Sequence, residues 1–232
     1  MMGPLIMLQS FIIFSMKKYI VLFFLVASSN SYGQVVPQGY LINSIGMIGS
    51  QVWATSNLSV TTFNNGNAIP NYTSSTGWGT LTTPAMCSYN FDPANDAIYG
   101  KLYNWYAVND SRGICPVDWH VPTNAEFTQL NSFIGGNGGK LKQKGIKTID
   151  AGALWITPNA GAVDTYSFTA LPAGYMGTTT PSNLGNLTFF WTNTSYDATH
   201  AYTWSLSKDN TSFSNAFSNT KVGGFSVRCI HD

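Results

Sequence analysis

Aromatic and amide side chains are concentrated between residues 193 and 219, where aliphatic residues are few. Aromatic faces stack on the apolar faces of sugar rings, and amide and hydroxyl groups hydrogen-bond sugar hydroxyls. Tyr, Asn and Ser are also frequent in recognition loops. We therefore expect this stretch to form an exposed ligand surface. The candidate ligand-binding residues are Asn193, Tyr196, His200, Tyr202, Trp204, Asn210 and Asn215. The alternative for the tryptophans is a place in the core, which we adopt for Trp191.

A second set of polar side chains could bind a cation. Asn90, Asp92, Asn95 and Asp96 place oxygen donors within one loop, and Ca²⁺ prefers oxygen ligands. The spacing does not fit an EF-hand, and Asx-rich segments are more often turns. Calcium is therefore a weak alternative, and we expect no other cofactor or metal.

His120, which stands just before the main predicted helix, is the first candidate for catalysis. A general base needs a nucleophile or an orienting carboxylate, and none is identifiable beside it in the sequence. We expect its ring to hydrogen-bond backbone groups at the helix entry. Asp164, Asp197 and Asp209 are further carboxylates without an evident pairing. The chain is accordingly predicted not to be an enzyme.

Cysteine usage indicates a disulfide. The chain has Cys87, Cys115 and Cys229, which allow three single bridges. We favour Cys115–Cys229, because Cys115 lies in a tight corner before the helix and Cys229 lies on the last predicted strand. The chain-entropy model assigns roughly 4–5 kcal/mol to a loop of about 100 residues. Cys87 is then expected to be unpaired and buried, and metal binding by the cysteines is not expected because CxxC and Cys/His pairings are missing from the sequence.

The first part of the chain resembles an export signal. A basic pair, an apolar run and small residues follow one another over positions 17–33. We predict a signal peptide at 1–33, cleavage before Gln34 and a translation start at Met16. The alternative is a longer membrane anchor that also uses residues 5–14. After cleavage no membrane span is expected, so the protein is predicted to be secreted or to lie at the cell surface.

Composition limits the partners. Charged residues are 9% of the 232 residues and the net charge is +1, whereas an average soluble domain has about 25% charged residues. Binding to nucleic acid through bulk electrostatics is therefore not expected. Hydrophobic residues make up 44%, enough for a substantial core.

The predicted helices and strands that must position these residues indicate an α+β fold. Pro122 is followed by a helix capped at Thr123 or Asn124, with Glu126 completing a capping box and Gly135-Gly136 ending it. Strands are predicted at 50–53, 58–63, 86–89, 99–108, 168–171, 189–191, 201–206 and 224–228, with a turn at 64–67. Residues 34–232 are predicted to form a single domain with one main helix and many short antiparallel strands.

Several sequence blocks occur in a fixed order. They are Gln51-Val-Trp53 with Asn57-Leu58, Tyr99-Gly-Lys-Leu-Tyr-Asn-Trp-Tyr-Ala-Val108, Cys115-Pro-Val-Asp-Trp-His-Val-Pro-Thr123, Gly138-Gly-Lys-Leu-Lys142, Phe168-Thr-Ala-Leu-Pro-Ala-Gly-Tyr175, Phe190-Trp-Thr-Asn-Thr194 and Gly224-Phe-Ser-Val-Arg-Cys229. From about residue 45 to the end, the chain resembles the Fibrobacter succinogenes major paralogous domain family. Where family members often have Trp-Ser-Ser-Thr, this chain has Trp191-Thr-Asn-Thr194.

The resemblance implies an exported protein of a family common in Bacteroidota, with a fold similar to C-type lectins and formylglycine-generating enzymes. Some relatives in that superfamily are hypervariable ligand-binding proteins whose sequence diversity is concentrated near the C-terminus. Its oxidising enzymes need a reactive cysteine pair, and this chain has only Cys229 near its end. The implied function is recognition of a polysaccharide or a cell-surface protein through C-terminal loops. The alternatives are a structural or adhesin subunit of a cell-envelope assembly and an enzyme acting on a surface polymer.

Overall fold

Short strands surround one helix of ten residues in the computed structural model, which describes residues 45–215 and 218–232. The strands are β1 (Ile45–Ile48), β2 (Gln51–Ala54), β3 (Asn71–Tyr72), β4 (Met86–Cys87), β5 (Leu102–Tyr103), β6 (Trp119–His120), β7 (Ala173–Met176), β8 (Pro181–Leu184), β9 (Leu187–Ser195), β10 (His200–Ser207), β11 (Ser218–Thr220) and β12 (Ile230–His231). The helices are α1 (Asp96–Tyr99), α2 (Trp105–Val108) and α3 (Asn124–Phe133), with 3-10 turns at Trp78–Thr80, Tyr89–Phe91, Pro93–Asn95 and Gly138–Lys140. The α+β prediction is confirmed, while the predicted signal peptide and start at Met16 lie outside the described residues.

The strands of the described residues form three sheets. Their orders are β1-β2-β12-β6, β11-β10-β9-β7-β8 and β3-β4-β5. Most neighbours are antiparallel, but β3 pairs with β4 and β7 with β9 in parallel, so the expectation of antiparallel strands needs that correction. Because β12 lies between β2 and β6, the first and last described segments of the chain meet in one sheet.

Helix α3 begins and ends as the sequence predicts. The Thr123 hydroxyl accepts a hydrogen bond from the backbone N–H of Glu126 at 3.1 Å, and the Glu126 carboxylate accepts one from the N–H of Thr123 at 2.7 Å. This reciprocal pair satisfies N–H groups that the first helical turn leaves open. Gly135 and Gly136 have φ angles of 69° and 72°, a left-handed backbone that suits glycine and stops the helix.

The segment 99–108, predicted as one strand, is instead the end of α1, then β5 and α2. The aromatic residues of this segment favour a strand, but the Asn104 side chain accepts a hydrogen bond from the N–H of Ala107 and starts a helix. Segments 58–63, 168–171 and 224–228, also predicted as strands, form none. Each pairs with other segments only through isolated bridges or single hydrogen bonds.

Aromatic side chains dominate two core clusters. One includes Tyr103, Trp191 and Phe225 beside the disulfide, and Trp191 is fully buried, as predicted. The other lies between α3 and the β9–β10 hairpin and includes Trp53, Phe127, Trp155, Phe168, Phe190, Trp204 and Phe213. Burial of one large apolar side chain contributes roughly 1.5–3 kcal/mol, so these clusters fix the hairpin against α3.

Cys115 and Cys229 form a disulfide across 114 residues, as predicted. Cys229 lies just before β12 rather than on a strand. Cys87 is free and buried, and burial raises the pKa of its thiol to about 12. A thiol that stays protonated is a poor nucleophile. Cys87 instead packs in a buried hydrophobic cluster.

The side chain of Lys142 is fully buried and holds distant backbone segments together. Its ammonium donates to the carbonyl oxygens of Ala160, Ser207 and Asn210 at 2.8, 2.9 and 3.1 Å, and it lies 5.4 Å from the Trp155 ring centre. Burial lowers the pKa of Lys142 to about 8, although the charge of Asp209 raises it in part. Arg228, also fully buried, similarly donates to the carbonyls of Ala54 and Phe168.

No helix within residues 45–215 and 218–232 combines the length and apolar character needed to cross a lipid bilayer.

Candidate functional site

A cleft of about 220 Å³ opens beside the disulfide. Asn64, Asp110, Cys115, Trp119, His120 and Asn193 are among the residues that line it. We call it the Trp119 cleft. It combines one half-buried indole with amide, carboxylate and imidazole groups, and its volume suits a small polar group rather than a drug-sized ligand, whose pockets reach about 300–1,000 Å³.

Separate elements position the walls of the Trp119 cleft. Trp119 and His120 form β6, which pairs with β12. Asn193 is fixed near the end of β9, where its N–H donates to the carbonyl of Pro122 at 3.0 Å. Asn64 begins the predicted turn, and its N–H donates to the carbonyl of Gly113 at 3.0 Å. The cleft is therefore held by backbone hydrogen bonds on three sides.

His120 lies between two carboxylates. Its Nδ1 is 2.5 Å from Asp232 Oδ1, and its Nε2 is 2.8 Å from Glu126 Oε1. The expected bond to backbone groups is therefore wrong: both ring nitrogens hydrogen-bond acidic side chains. Glu126 reaches back from the first turn of α3, whereas Asp232 arrives through the pairing of β6 with β12. With both nitrogens occupied, the imidazole orients its neighbours and has no nitrogen directed at a ligand.

The pKa of His120 is raised by these partners. Burial alone lowers the pKa of the imidazole, but its hydrogen bonds to the carboxylates of Asp232 and Glu126, together with the charges of those groups, outweigh burial. A neutral imidazole has one N–H and can donate to only one carboxylate, whereas the protonated ring donates to both. The protonated form therefore matches the observed geometry.

Asp110 on the cleft wall is already paired. Arg112 donates from Nε and Nη2 to the two carboxylate oxygens at 2.7 and 2.8 Å. These hydrogen bonds hold the pKa of Asp110 below its usual value. The guanidinium also lies 4.0 Å from the centre of the Phe63 ring. Asp110 thus adds a fixed polar edge to the cleft, with its charge neutralised.

Three of the predicted binding residues meet at the connection between β9 and β10. We call residues 195–200 the hairpin tip. Tyr196 is 57% exposed, and its ring packs edge-to-face on Tyr202 with centres 5.3 Å apart. His200 lies beside Asp197, with Nδ1 3.1 Å from Oδ1. The hairpin therefore carries two tyrosines and a histidine, with Tyr196 and His200 on the tip and Tyr202 beside it on β10.

Asp197 and Lys221 order the hairpin tip. Asp197 Oδ1 accepts the N–H groups of Thr199 and His200, each at 2.7 Å, and these bonds lower the pKa of Asp197 to about 2. The Lys221 ammonium donates to the carbonyl of Asp197 at 2.8 Å and lies 4.4 Å from the Trp105 ring centre. Sequence reasoning missed Lys221, since its partners are carbonyl groups.

Trp204 requires a correction. It is only 3% exposed and belongs to the core cluster under α3, where its Nε1 donates to Asn124 Oδ1 at 2.9 Å. The polar and aromatic residues around Trp204 predict an exposed side chain, but this prediction takes no account of which face of β10 is turned toward the core. Asn215 donates to the same Asn124 oxygen at 3.1 Å. Both residues therefore fix the start of α3.

Asn210 lies apart from the other candidates. Its side-chain oxygen accepts the N–H of Ser212 at 2.9 Å, and its carbonyl accepts a bond from Lys142. The predicted set is thus divided among the Trp119 cleft (Asn193), the hairpin tip, the Asn124 cluster and the Asn210 turn.

The calcium candidates are used in local structure. Asp92 caps a 3-10 turn through the N–H of Ala94, and Asn95 donates to the carbonyl of Tyr89. Asp96 pairs with Lys101 at 2.6 Å, and Asn90 adopts a left-handed turn conformation. Within the part of the chain that the structure describes, no group of three or more His, Cys, Asp or Glu side chains is arranged to hold a metal ion.

Comparison with known proteins identifies the family. The family model described as Fibrobacter succinogenes major domain matches residues 47–231, which include the Trp119 cleft and the hairpin tip. Neither the curated proteins nor the solved structures gave a match. The resemblance of the sequence blocks is confirmed, and the chain belongs to the Fibrobacter succinogenes major domain family.

Proposed function

We propose that this protein is an exported binding protein that recognises a polysaccharide through a sugar unit held in the Trp119 cleft. The observation that carries the proposal is the combination of the Trp119 indole with the amides of Asn64 and Asn193 in one cleft, whose wall includes the doubly hydrogen-bonded His120. An indole face suits the apolar face of a sugar, and amides supply both donors and acceptors to hydroxyl groups. Preorganised walls reduce the entropy lost on binding.

The finer fold assignment is part of the proposal. We propose a C-type-lectin-like domain, since one main helix packs beside the β9–β10 hairpin and the first and last described segments share a sheet. Export is supported by the disulfide, because such bonds persist in oxidising compartments. The role of calcium in binding is left to the test below.

Binding to a glycan array tests the function. The purified protein, Trp119→Ala and Tyr72→Ala are compared, with calcium and with chelator; Tyr72 lies on the separate β3–β4–β5 sheet and serves as the matched aromatic control. We expect specific binding by the wild type and Tyr72→Ala and its loss in Trp119→Ala. Loss with chelator identifies a calcium requirement. Absence of binding on the whole array contradicts the proposal.

A protein ligand or an envelope assembly is the second candidate function, favoured by the exposed Tyr196 on the hairpin tip. Tyrosine supplies a large rigid contact area in protein recognition. Concentration-dependent oligomerisation that Tyr196→Ala abolishes would favour this candidate. We rank an enzyme acting on a surface polymer third, because both nitrogens of His120 are occupied by carboxylates.

A further inference from the structure

A second cleft, of about 280 Å³, lies next to the first. Its polar lining includes Ser50, Gln51, Glu126, Gln129, His231 and Asp232. We call it the Gln129 cleft. The sequence singles out none of these residues as a ligand-binding candidate, because they come from β2 and the turn before it, from α3, and from β12 and the residue after it, and meet only in the fold.

The two clefts are separated by one wall of side chains in contact. His120 lines the Trp119 cleft, and its hydrogen-bond partners Glu126 and Asp232 line the Gln129 cleft, at 2.8 and 2.5 Å from the ring nitrogens. Trp119 and His231 repeat this arrangement, with ring centres 5.1 Å apart. A ligand that crosses this wall touches both clefts within a short distance.

The Gln129 cleft has a fixed floor and an exchangeable rim. Gln51 is buried; its Nε2 donates to the carbonyl of Glu126 at 3.0 Å, and its Oε1 accepts from Trp53 Nε1 at 3.3 Å. At the rim, exposed Gln129 donates to Ser50 Oγ at 3.0 Å. A hydrogen bond on the surface can be exchanged for one to a sugar hydroxyl at little net cost.

The charge of the shared wall restricts the ligand. Even when His120 is protonated, one positive charge faces two carboxylates, so the wall is net negative. Asp110 adds no free charge because Arg112 neutralises it. An anionic sugar at this wall would meet like charge, which is unfavourable at short range and screened by salt.

From the shared wall we infer that the ligand is a neutral, linear glycan whose successive units occupy the Trp119 and Gln129 clefts, so that the protein binds the interior of a chain rather than a single terminal sugar. This inference rests on the proposed function. It names Gln129, Ser50 and His231 as additional contact residues and assigns a polymer of neutral sugars as the ligand class.

Calorimetric titration with graded oligosaccharides tests the inference. The probes are β-1,4-linked and α-1,4-linked gluco-oligosaccharides of one to six units and a uronic acid oligomer of six units. For the series that binds, we expect affinity to rise about tenfold between one and two units, because the second unit reaches the Gln129 cleft; a tenfold gain corresponds to about 1.4 kcal/mol. Gln129→Ala should remove this gain, and Ser132→Ala, an exposed neighbour on α3 outside both clefts, should retain it.

The possible results distinguish failure of the inference from failure of the proposed function. Binding that depends on Trp119 but not on chain length, or a gain that Gln129→Ala retains, overturns the second subsite and leaves the proposed function standing. Uronic acid binding equal to that of the neutral series at low salt overturns the neutral ligand class. If neither neutral series binds, the inference is rejected, and the array decides the proposed function separately.

Discussion

His120 and Asp232 lie 112 residues apart in the sequence and hydrogen-bond each other at 2.5 Å. The contact depends on β6 and β12, where Ile230 pairs with His120 and His231 with Trp119. Glu126 completes the arrangement from α3. A helix and two distant strands are thus joined at the wall between the clefts.

This arrangement predicts a pH dependence of stability. Because the folded-state pKa of His120 is raised, its contribution is complete below the unfolded pKa of about 6.5 and is lost as pH rises through the folded value. Glu126, Asp232, His231 and nearby Asp118 are the ionisable groups around it. We expect the melting temperature of the wild type to exceed that of His120→Gln at pH 5.5, with a smaller difference at pH 8.5. A constant difference at both pH values would contradict the charged bridge.

Removal of the buried ammonium of Lys142 should be strongly destabilising. Lys142→Ala leaves the three carbonyl groups without this donor and opens space beside Trp155. Each unsatisfied buried polar group costs about 1–3 kcal/mol, so we expect a loss of at least about 2 kcal/mol in the free energy of unfolding, measured by urea denaturation. The control is Lys144→Ala, at an exposed position two residues away, which should lie within about 0.5 kcal/mol of the wild type. Equal midpoints for the two variants would show that Lys142 does not hold these segments.

Substitution of Trp204, which contacts α3, and of Trp119, which lines the cleft, should affect stability and glycan binding to different extents. Trp204→Ala removes a buried ring and should cost about 3–5 kcal/mol of unfolding free energy. Trp119→Ala removes a half-buried ring, so we expect a smaller loss of stability together with loss of glycan binding. Chemical denaturation and binding are measured on the same samples. A larger stability loss for Trp119→Ala would reverse the assignment of core and cleft.

Asp197 should order the hairpin tip over a wide pH range. Its folded pKa of about 2 lies below the usual value, so its contribution is present above about pH 4 and is lost as pH falls through the folded pKa. In NMR spectra, we expect the amide signals of Thr199 and His200 to titrate near pH 2. Asp197→Ala should increase hydrogen exchange at both amides. Unchanged exchange would show that the tip is ordered without this carboxylate.

Local patterns predicted the parts of the fold that are set by neighbours in sequence. The three-residue spacing of Thr123 and Glu126 predicts the capping box, and Gly135 predicts the end of α3. The prediction of a strand at 99–108 is wrong: the aromatic residues favour a strand, but the side-chain oxygen of Asn104 accepts a hydrogen bond that starts α2. Tertiary contacts decide between such alternatives.

The site was harder to predict because its contacts are long-range. Residue type makes Asn193 a candidate, and it lines the Trp119 cleft. For His120 the sequence predicts a backbone partner, because Asp232 reaches the ring only when β6 and β12 pair. Composition predicts Trp204 to lie on the surface, because it does not reveal which face of a strand is buried. The Gln129 cleft left no sequence signal, as ordinary polar residues from three elements form it.

The Cys115–Cys229 bridge has a further consequence for what proteolysis can do to the fold. The backbone between these residues and the disulfide form one covalent ring that contains the hairpin tip. A single cut within this ring opens it without releasing a fragment, and the β9–β10 and β2–β12 pairings keep the cut ends in place. Two cuts within the ring are needed to release a piece of it, so after a single cut at the exposed tip both new chain ends stay covalently joined to the Trp119 cleft.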